Sequence, residues 1–182
     1  MSLHPNDLAR WLKQGGAERY GDEPATLLSH LLQSAQRAVD AGLPDPLIVA
    51  CGLHDIGHAW LVCHQGAVLE RDDRHEDLGA DLLAPLLPPS VVGPVRLHVA
   101  AKRYLCAIEP HYQDELSAGS RHSLAMQGGP MDAAESRDFA ALPWAADAVT
   151  LRRIDDLAKC VDAPEMPLAE LMRRIESVAA LR

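Results

Sequence analysis

The feature that most constrains this chain is the run Leu47-Ile48-Val49-Ala50-Cys51-Gly52-Leu53, which is followed directly by His54-Asp55. A helix that is apolar on all sides must be covered by other elements, so the run predicts a buried central helix that opens near Pro46. A carboxylate at the end of such a helix is costly unless a cation compensates its charge. The sequence therefore predicts a cation beside Asp55.

Helical periodicity continues along the rest of the chain, whereas strand patterns are poor. The predicted stops are Gly15-Gly16, Gly42 and the turn Gly128-Gly129-Pro130. We predict helices over residues 6–13, 24–41, 76–87, 91–107, 132–141, 144–160 and 167–182, a shorter helix from Pro110 and a loop over 64–71. With 182 residues, 48% hydrophobic and only 4% aromatic, the chain is expected to form one all-α domain over 1–182 around an aliphatic core.

Charge and cysteine content narrow the setting in which the protein works. The net charge of −9 argues against nucleic acid as a partner, because binding to a phosphate backbone needs a basic stripe. Cys51, Cys63, Cys106 and Cys160 form no paired motif and are expected to be reduced thiols. No signal-peptide pattern is present, and no apolar run approaches the roughly 20 residues of a membrane span. We therefore expect a cytoplasmic protein without a membrane partner; the sequence leaves its oligomeric state open.

Several histidines and aspartates lie within apolar segments. A single histidine on an apolar helix face is usually a hydrogen-bonded core residue, and His30 would be interpreted in this way if it stood alone. The chain repeats the pattern, however, in the order His30, His54-Asp55, His75, His98 and Asp155. Histidine and carboxylate side chains that recur in apolar surroundings are typical of a metal site.

This series resembles the HD-domain superfamily, whose fold is an all-α helical bundle. The resemblance implies that His30, His54, Asp55 and Asp155 hold one metal ion. His75 and His98 match the two extra histidines of the dinuclear members, and Asp55 then bridges both ions. Mixed imidazole and carboxylate ligands suit iron or manganese better than structural zinc.

Five longer stretches are similar to the dinuclear iron oxygenases that cleave the carbon–phosphorus bond of 2-amino-1-hydroxyethylphosphonate. The stretches are Tyr20-Gly21-Asp22-Glu23, His54 to His58, His98 to Leu105, Leu116 to Met131 and Leu151 to Lys159. This resemblance implies a mixed-valence pair of iron ions (Fe2+/Fe3+), dioxygen as co-substrate and a small organophosphonate as substrate. The implied products are a carboxylic acid, glycine for the aminoethyl substrate, and inorganic phosphate.

The resemblance also assigns roles to residues outside the ligand set. Lys102, Ser120 and Arg152 match family positions that bind the phosphonate, and His58 matches a histidine that contacts substrate and handles its protons. Tyr20 and Glu23 match a lid pair. The spacing is compatible with these roles, since Lys102 follows His98 by four residues and therefore lies on the same helix face.

Other functions remain open at this point. The main alternative is an HD-domain phosphohydrolase acting on a nucleotide or small phosphate monoester, with the same metals activating water. Further alternatives are a non-catalytic sensor and a relative of the longer inositol oxygenases. The segment 59–73, with Trp60, His64 and Arg71, shows no match to the family and could shape the pocket for the substrate's amine. For a trimethylammonium group, Tyr20, Trp60 and Tyr104 are the candidate aromatic walls.

Overall fold

The computed structural model describes residues 4–17, 25–66, 74–160 and 162–181. Within these ranges the chain is helical and contains no strand, which confirms the all-α prediction. The helices are α1 Pro5–Gln14, α2 Leu27–Asp40, α3 Asp45–Leu53, α4 Ile56–Gln65, α5 His75–Leu83, α6 Pro89–Ile108, α7 Tyr112–Glu115, α8 Ala118–Met126, α9 Ala133–Ala140, α10 Ala145–Leu157 and α11 Leu168–Ala179.

Helix α3 lies at the centre of the bundle, as the sequence predicts. Every residue from Leu47 to Leu53 is buried, and the helix packs against α2, α6, α10 and α11. Helix α6 is the longest helix and packs against α3, α5 and α10. Side chains from α2, α5, α6 and α10 meet around His54 and Asp55, so the fold gathers several parts of the sequence at one buried point.

The observed boundaries differ from the predicted ones mainly at helix ends. Helix α2 begins at Leu27 rather than residue 24, because the Thr26 side chain accepts the backbone N–H of Ser29 as a cap. Helix α5 stops at Leu83 rather than 87, and α10 stops at Leu157 rather than 160. Helix α11 covers Leu168–Ala179 of the predicted 167–182.

Two helices were not predicted. Helix α4 starts two residues after the end of α3 and ends at Gln65, where Gly66, with a φ of 77°, forms a left-handed cap. The predicted loop over 64–71 is therefore wrong for His64 and Gln65. Residues 67–71 of that prediction lie outside the described residues. Helix α8 is capped by Ser117, whose side chain accepts the backbone N–H of Ser120. Both helices carry residues of the predicted site.

By its length and mean hydropathy, the segment Asp45–Gln65 could cross a membrane. Its apolar sequence is interrupted by His54-Asp55. In this fold 72% of its most apolar window is buried by the rest of the protein. Burial of this kind is typical of the core helix of a soluble protein.

Candidate active site

The six predicted metal ligands come together in the interior of the bundle. His30 lies on α2, His54 and Asp55 occupy the junction of α3 and α4, and all are at most 1% exposed. His75 begins α5, His98 lies on α6 and Asp155 lies on α10, each at most 6% exposed. Asp55 is at the N-cap position of α4, but its carboxylate does not cap that helix. The carboxylate faces the histidines instead.

The first half-site contains His30, His54, Asp155 and one oxygen of Asp55. The Nε2 atoms of His30 and His54 are 3.2 Å apart, and His30 Nε2 is 3.2 Å from Asp155 Oδ1. Asp55 Oδ2 is 3.4 Å from His54 Nε2 and 3.9 Å from His30 Nε2. The ligand atoms of His30, His54 and Asp155 all lie within 4.8 Å of one another, so the three side chains could hold one metal ion.

The second half-site contains His75, His98 and the other oxygen of Asp55. Asp55 Oδ1 is 3.2 Å from His75 Nε2 and 3.4 Å from His98 Nε2. The two Nε2 atoms are 3.2 Å apart. Each oxygen of Asp55 therefore faces a different pair of histidines, as the predicted bridging role requires.

The hydrogen bonds of the histidines show that the cluster fits a cation. His30 Nδ1 donates to the Ala158 carbonyl at 2.8 Å, His54 Nδ1 to Cys51 at 2.8 Å and His98 Nδ1 to Val95 at 2.7 Å. Since a carbonyl oxygen can only accept a hydrogen bond, each Nδ1 carries a proton. In the neutral ring Nε2 is then unprotonated and presents a lone pair. Lone pairs and carboxylate oxygens that converge at about 3 Å repel one another unless a cation lies among them.

The electrostatics of the cluster favour the metal-binding protonation states of Asp55, Asp155 and His98, whereas the raised pKa of His54 opposes loss of its proton. Burial by itself would raise the pKa values of Asp55 and Asp155. Neighbouring cationic and imidazole groups outweigh it and hold both pKa values well below the usual range. Burial lowers the pKa of His98 to about 4, so this ring is neutral at physiological pH. Burial also disfavours charge on His54, but Asp55 and Asp155 outweigh that effect and raise its pKa.

His58 is close to the second half-site. Its ring stacks on His75, with centroids 3.9 Å apart and an interplanar angle of 20°. A ligand atom of His58 also lies within 4.8 Å of ligand atoms of Asp55 and His75. This position is compatible with a contact to a metal ion and with the predicted contact to substrate.

Two glycines let α4 and α5 approach closely enough to form the second half-site. A Cβ on Gly57 would lie 2.2 Å from the carbonyl oxygen of His75, and one on Gly79 would lie 3.3 Å from the backbone nitrogen of Gly57. Any side chain at residue 57 would therefore displace the segment that carries His75. The glycine of the His54 to His58 stretch has a specific packing role.

The predicted phosphonate-binding residues also lie together, beside Asp155. Lys102, Ser120 and Arg152 are buried, with 3 to 6% of their surfaces exposed. Arg152 Nη2 donates to Ser120 Oγ at 3.3 Å, and Arg152 Nη1 is 2.6 Å from Asp155 Oδ2. Arg152 also pairs with Asp156, and its Nε donates to the Tyr112 hydroxyl at 3.2 Å. A single guanidinium thus connects this region to the first half-site.

Two further residues of this region were missed by the sequence analysis. Lys159 Nζ donates to Ser120 Oγ at 2.8 Å, and Lys102 Nζ donates to Ser123 Oγ at 2.7 Å. The spacing between Asp155 and Lys159 repeats the four-residue spacing between His98 and Lys102 and could have pointed to Lys159. We call the set Lys102, Ser120, Ser123, Arg152 and Lys159 the anion pocket.

The charges of the anion pocket oppose one another in the absence of an anion. Burial, together with the nearby cation Arg152, lowers the pKa of Lys102 to about 7. The pKa of Arg152 is raised well above its ordinary value, because Asp155 and Asp156 outweigh the effect of burial. A dianion placed among these side chains would favour the charged form of Lys102.

Some predicted positions are elsewhere or outside the described residues. Tyr20, Glu23 and Arg71 lie outside the described residues. Trp60 stacks on His64 with centroids 4.2 Å apart, and Tyr104 packs against Phe139 at 4.9 Å. The rings of Trp60 and Tyr104 therefore have other aromatic partners, and the structure gives no support to either as a wall for the substrate's amine.

Comparison with known proteins places the chain in a family. No family model matches it. It is 43% identical over 148 residues, 81% of this chain and 76% of the relative, to (1-hydroxy-2-(trimethylamino)ethyl)phosphonate dioxygenase (glycine-betaine-forming) of Leisingera caerulea. It is 40% identical over 168 residues, 91% of this chain and 84% of the relative, to hydroxymethylphosphonate dioxygenase of Gimesia maris. Identities of this size over most of both chains confirm the relationship that the motifs predicted: this chain belongs to the family of phosphonate dioxygenases.

Proposed function

We propose that this protein is a dinuclear iron oxygenase that cleaves the carbon–phosphorus bond of a 1-hydroxyphosphonate such as 2-amino-1-hydroxyethylphosphonate. The proposal rests chiefly on one observation, the contact between a two-part metal-ligand cluster and a buried anion pocket through Arg152 and Asp155. The names of the two relatives support the same reaction class. The proposed substrate is a small organophosphonate. We propose that the enzyme acts on it in the cytoplasm.

The proposed reaction is balanced by one molecule of dioxygen. A 1-hydroxyphosphonate and dioxygen give a carboxylic acid and inorganic phosphate, so the C1–P bond breaks and C1 is oxidised. For the aminoethyl substrate the acid is glycine. Two iron ions, held by His30, His54, Asp55 and Asp155 and by Asp55, His75 and His98, would supply the redox chemistry and the activation of dioxygen.

The protein's own contribution begins with binding and orientation. In this proposal Lys102, Ser120 and Arg152 hold the phosphonate oxygens. The contact of Arg152 with Ser120 and Asp155 supports this role, since a phosphonate bound there would have its C1 near the metal ligands. Fixing the reacting carbon in this way removes much of the entropic cost of the reaction. Burial of the pocket strengthens each charge-assisted hydrogen bond and excludes competing water.

His58 and the lid pair complete the proposed site. His58 stacks on His75 at the edge of the second half-site, where its ring nitrogens can exchange a proton with the substrate's hydroxyl or amine. Tyr20 and Glu23 are proposed, from the sequence alone, to cover the site before substrate enters.

The preferred substituent on C2 is part of the proposal. Trp60 and Tyr104 each pack against another ring of the protein, and Tyr20, the third candidate wall, lies outside the described residues. We propose 2-amino-1-hydroxyethylphosphonate as the first substrate to test and its trimethylammonium analogue as the comparison, because one relative is named for that analogue.

The test is phosphate release by iron-reconstituted protein from racemic 2-amino-1-hydroxyethylphosphonate, with and without oxygen. The proposal predicts oxygen-dependent release of phosphate and an equal amount of glycine. The ratio of kcat/KM for the amino and trimethylammonium substrates identifies the preferred group on C2. The variant His98→Ala should lose the activity. The matched control is His111→Ala, because the His111 side chain is 83% exposed.

A different outcome would identify the HD-domain hydrolase alternative. Oxygen-independent hydrolysis of phosphate monoesters, supported by manganese and accompanied by no release from the hydroxyphosphonates, would contradict the proposal. Binding without any turnover would instead indicate a sensor.

A further inference from the structure

The anion pocket contains a third cation, Lys159, to which the family resemblance gave no role. Lys159 follows α10, four residues after Asp155. Its side chain is 10% exposed, and its ammonium group is 3.5 Å from Asp155 Oδ1. It also donates to Ser120 Oγ at 2.8 Å, which is shorter than the 3.3 Å bond from Arg152 to the same oxygen. Lys159 thus lies between a proposed metal ligand and a proposed substrate contact.

The two donors at Ser120 determine what its hydroxyl can do. A serine oxygen has two lone pairs and one proton. Arg152 and Lys159 both donate to this oxygen, so its acceptor capacity is used and its O–H is left as a donor. An anion in the pocket is the natural acceptor for that proton. Lys159 therefore prepares Ser120 to donate, besides contributing a charge of its own.

The charge balance of the pocket indicates the ligand that it fits. Three cationic side chains meet here, namely Lys102, Arg152 and Lys159. Asp55 and Asp155 are proposed metal ligands, so their charges are compensated by the ions. Asp156 is then the carboxylate that remains paired with the cations within the described residues. The cationic side chains outnumber this carboxylate, and the metal ions would add further positive charge, so the pocket favours an anion such as phosphonate or phosphate.

We propose that Lys159 is a phosphonate-binding residue, and that together with Lys102 and Arg152 it makes the pocket complementary to a tetrahedral dianion. The inference rests on the proposed function for the identity of the substrate. Inorganic phosphate, the proposed product, has the same tetrahedral dianionic group and should bind to the same pocket. Phosphate is therefore a probe of the pocket that does not depend on turnover.

The experiment measures phosphate binding to metal-loaded protein by calorimetry, and KM and kcat for the hydroxyphosphonate. Losing a charge-assisted hydrogen bond should weaken phosphate binding about tenfold or more in Lys159→Met, with a similar rise in KM. We expect kcat to change by less than about threefold, because a contact made equally in the bound substrate and in the transition state changes KM and not kcat. The variant should retain both metal ions.

Two variants serve as controls. Lys159→Arg keeps the charge and should restore most of the phosphate affinity. Lys13→Met removes one positive charge from the exposed end of α1 and should leave phosphate binding unchanged. Together they separate a local contact from an effect of net charge.

Three outcomes would overturn the inference. The first is absence of phosphate binding to the wild-type protein, and the second is wild-type phosphate affinity in Lys159→Met. The third is loss of a metal ion in that variant with unchanged phosphate affinity, which would mean that Lys159 only supports Asp155. If Lys159→Met weakens phosphate binding but no hydroxyphosphonate is turned over, the role of Lys159 stands and the proposed function fails.

Discussion

The metal-ligand cluster and the anion pocket are neighbours, but the protein holds them in different ways. Three of the ligand histidines are oriented by backbone carbonyls, those of Ala158, Cys51 and Val95. The cations of the anion pocket are oriented by other side chains, as in the bonds from Lys102 to Ser123 and from Lys159 to Ser120. The fold itself therefore fixes the ligands, whereas the pocket depends on a network of side chains.

The two regions also differ in the charge that would complete them. The cluster brings lone pairs and carboxylates together and is completed by cations, while the pocket brings cations together and is completed by an anion. The ion pair between Arg152 and Asp155 joins them. Because Arg152 and a metal ion share one carboxylate, metal loading should make the guanidinium more available to the phosphonate.

The largest effect is expected from Asp55→Asn, which breaks the cluster at the residue that faces both half-sites. An amide keeps the shape but loses the charge and one acceptor oxygen. We expect both ions to be lost and activity to fall by more than about a hundredfold. The measurement is metal content after gel filtration, with Asp114→Asn on the surface as the control. Two ions retained in Asp55→Asn would contradict the bridging role.

A selective break of the second half-site is expected from Gly57→Ala. The added methyl group would clash with the carbonyl oxygen of His75 and displace α5. We expect one ion to be retained in the first half-site and one to be lost. The control is Gly42→Ala, which strains a residue with φ of 69° far from the site and has open space around its Cβ. The Gly42→Ala variant should lose about 1 kcal/mol of stability while keeping both ions. The same number of bound metal ions in the two variants would contradict the packing role of Gly57.

The anion pocket should show its own pH dependence through Lys102. Above about pH 7 this amine is neutral in the empty pocket, because its pKa is lowered to about 7. A phosphonate favours the charged amine, so binding above that pH must take up a proton. We expect the affinity to fall by up to about tenfold per pH unit above 7. In Lys102→Arg, which stays charged, this dependence should disappear; an identical profile in both proteins would exclude Lys102 as its source.

The smallest effect is expected from Tyr112→Phe, at the outer side of the pocket. The Tyr112 hydroxyl accepts from Arg152 and donates to Asp156. Its removal should reduce the free energy of unfolding by about 1 kcal/mol and raise KM by roughly two- to threefold. Urea denaturation and steady-state kinetics measure these changes, with Tyr104→Phe as the control. An effect on metal content would show that the pocket and the cluster are less separable than proposed.

The sequence predicts the cluster better than the pocket for a physical reason. His54-Asp55 follows a wholly apolar helix, and such a pattern has few explanations other than a buried cation site. Helix α4 was missed because it follows α3 with no glycine or proline between them. Helix α8 consists mainly of small and polar residues with weak periodicity, although Ser117 could have indicated its start. The four-residue spacing from Asp155 could have pointed to Lys159, but its contact with Ser120, 39 residues away in the sequence, could not be predicted from spacing.

The central claim is that metal ligands and anion pocket act together in an oxidative cleavage. The most direct test measures oxygen uptake and phosphate release in the same reaction of iron-loaded protein with 2-amino-1-hydroxyethylphosphonate. We predict one molecule of dioxygen consumed for each phosphate released. Phosphate release without oxygen uptake would contradict the claim and would identify the protein as a hydrolase that uses the same residues.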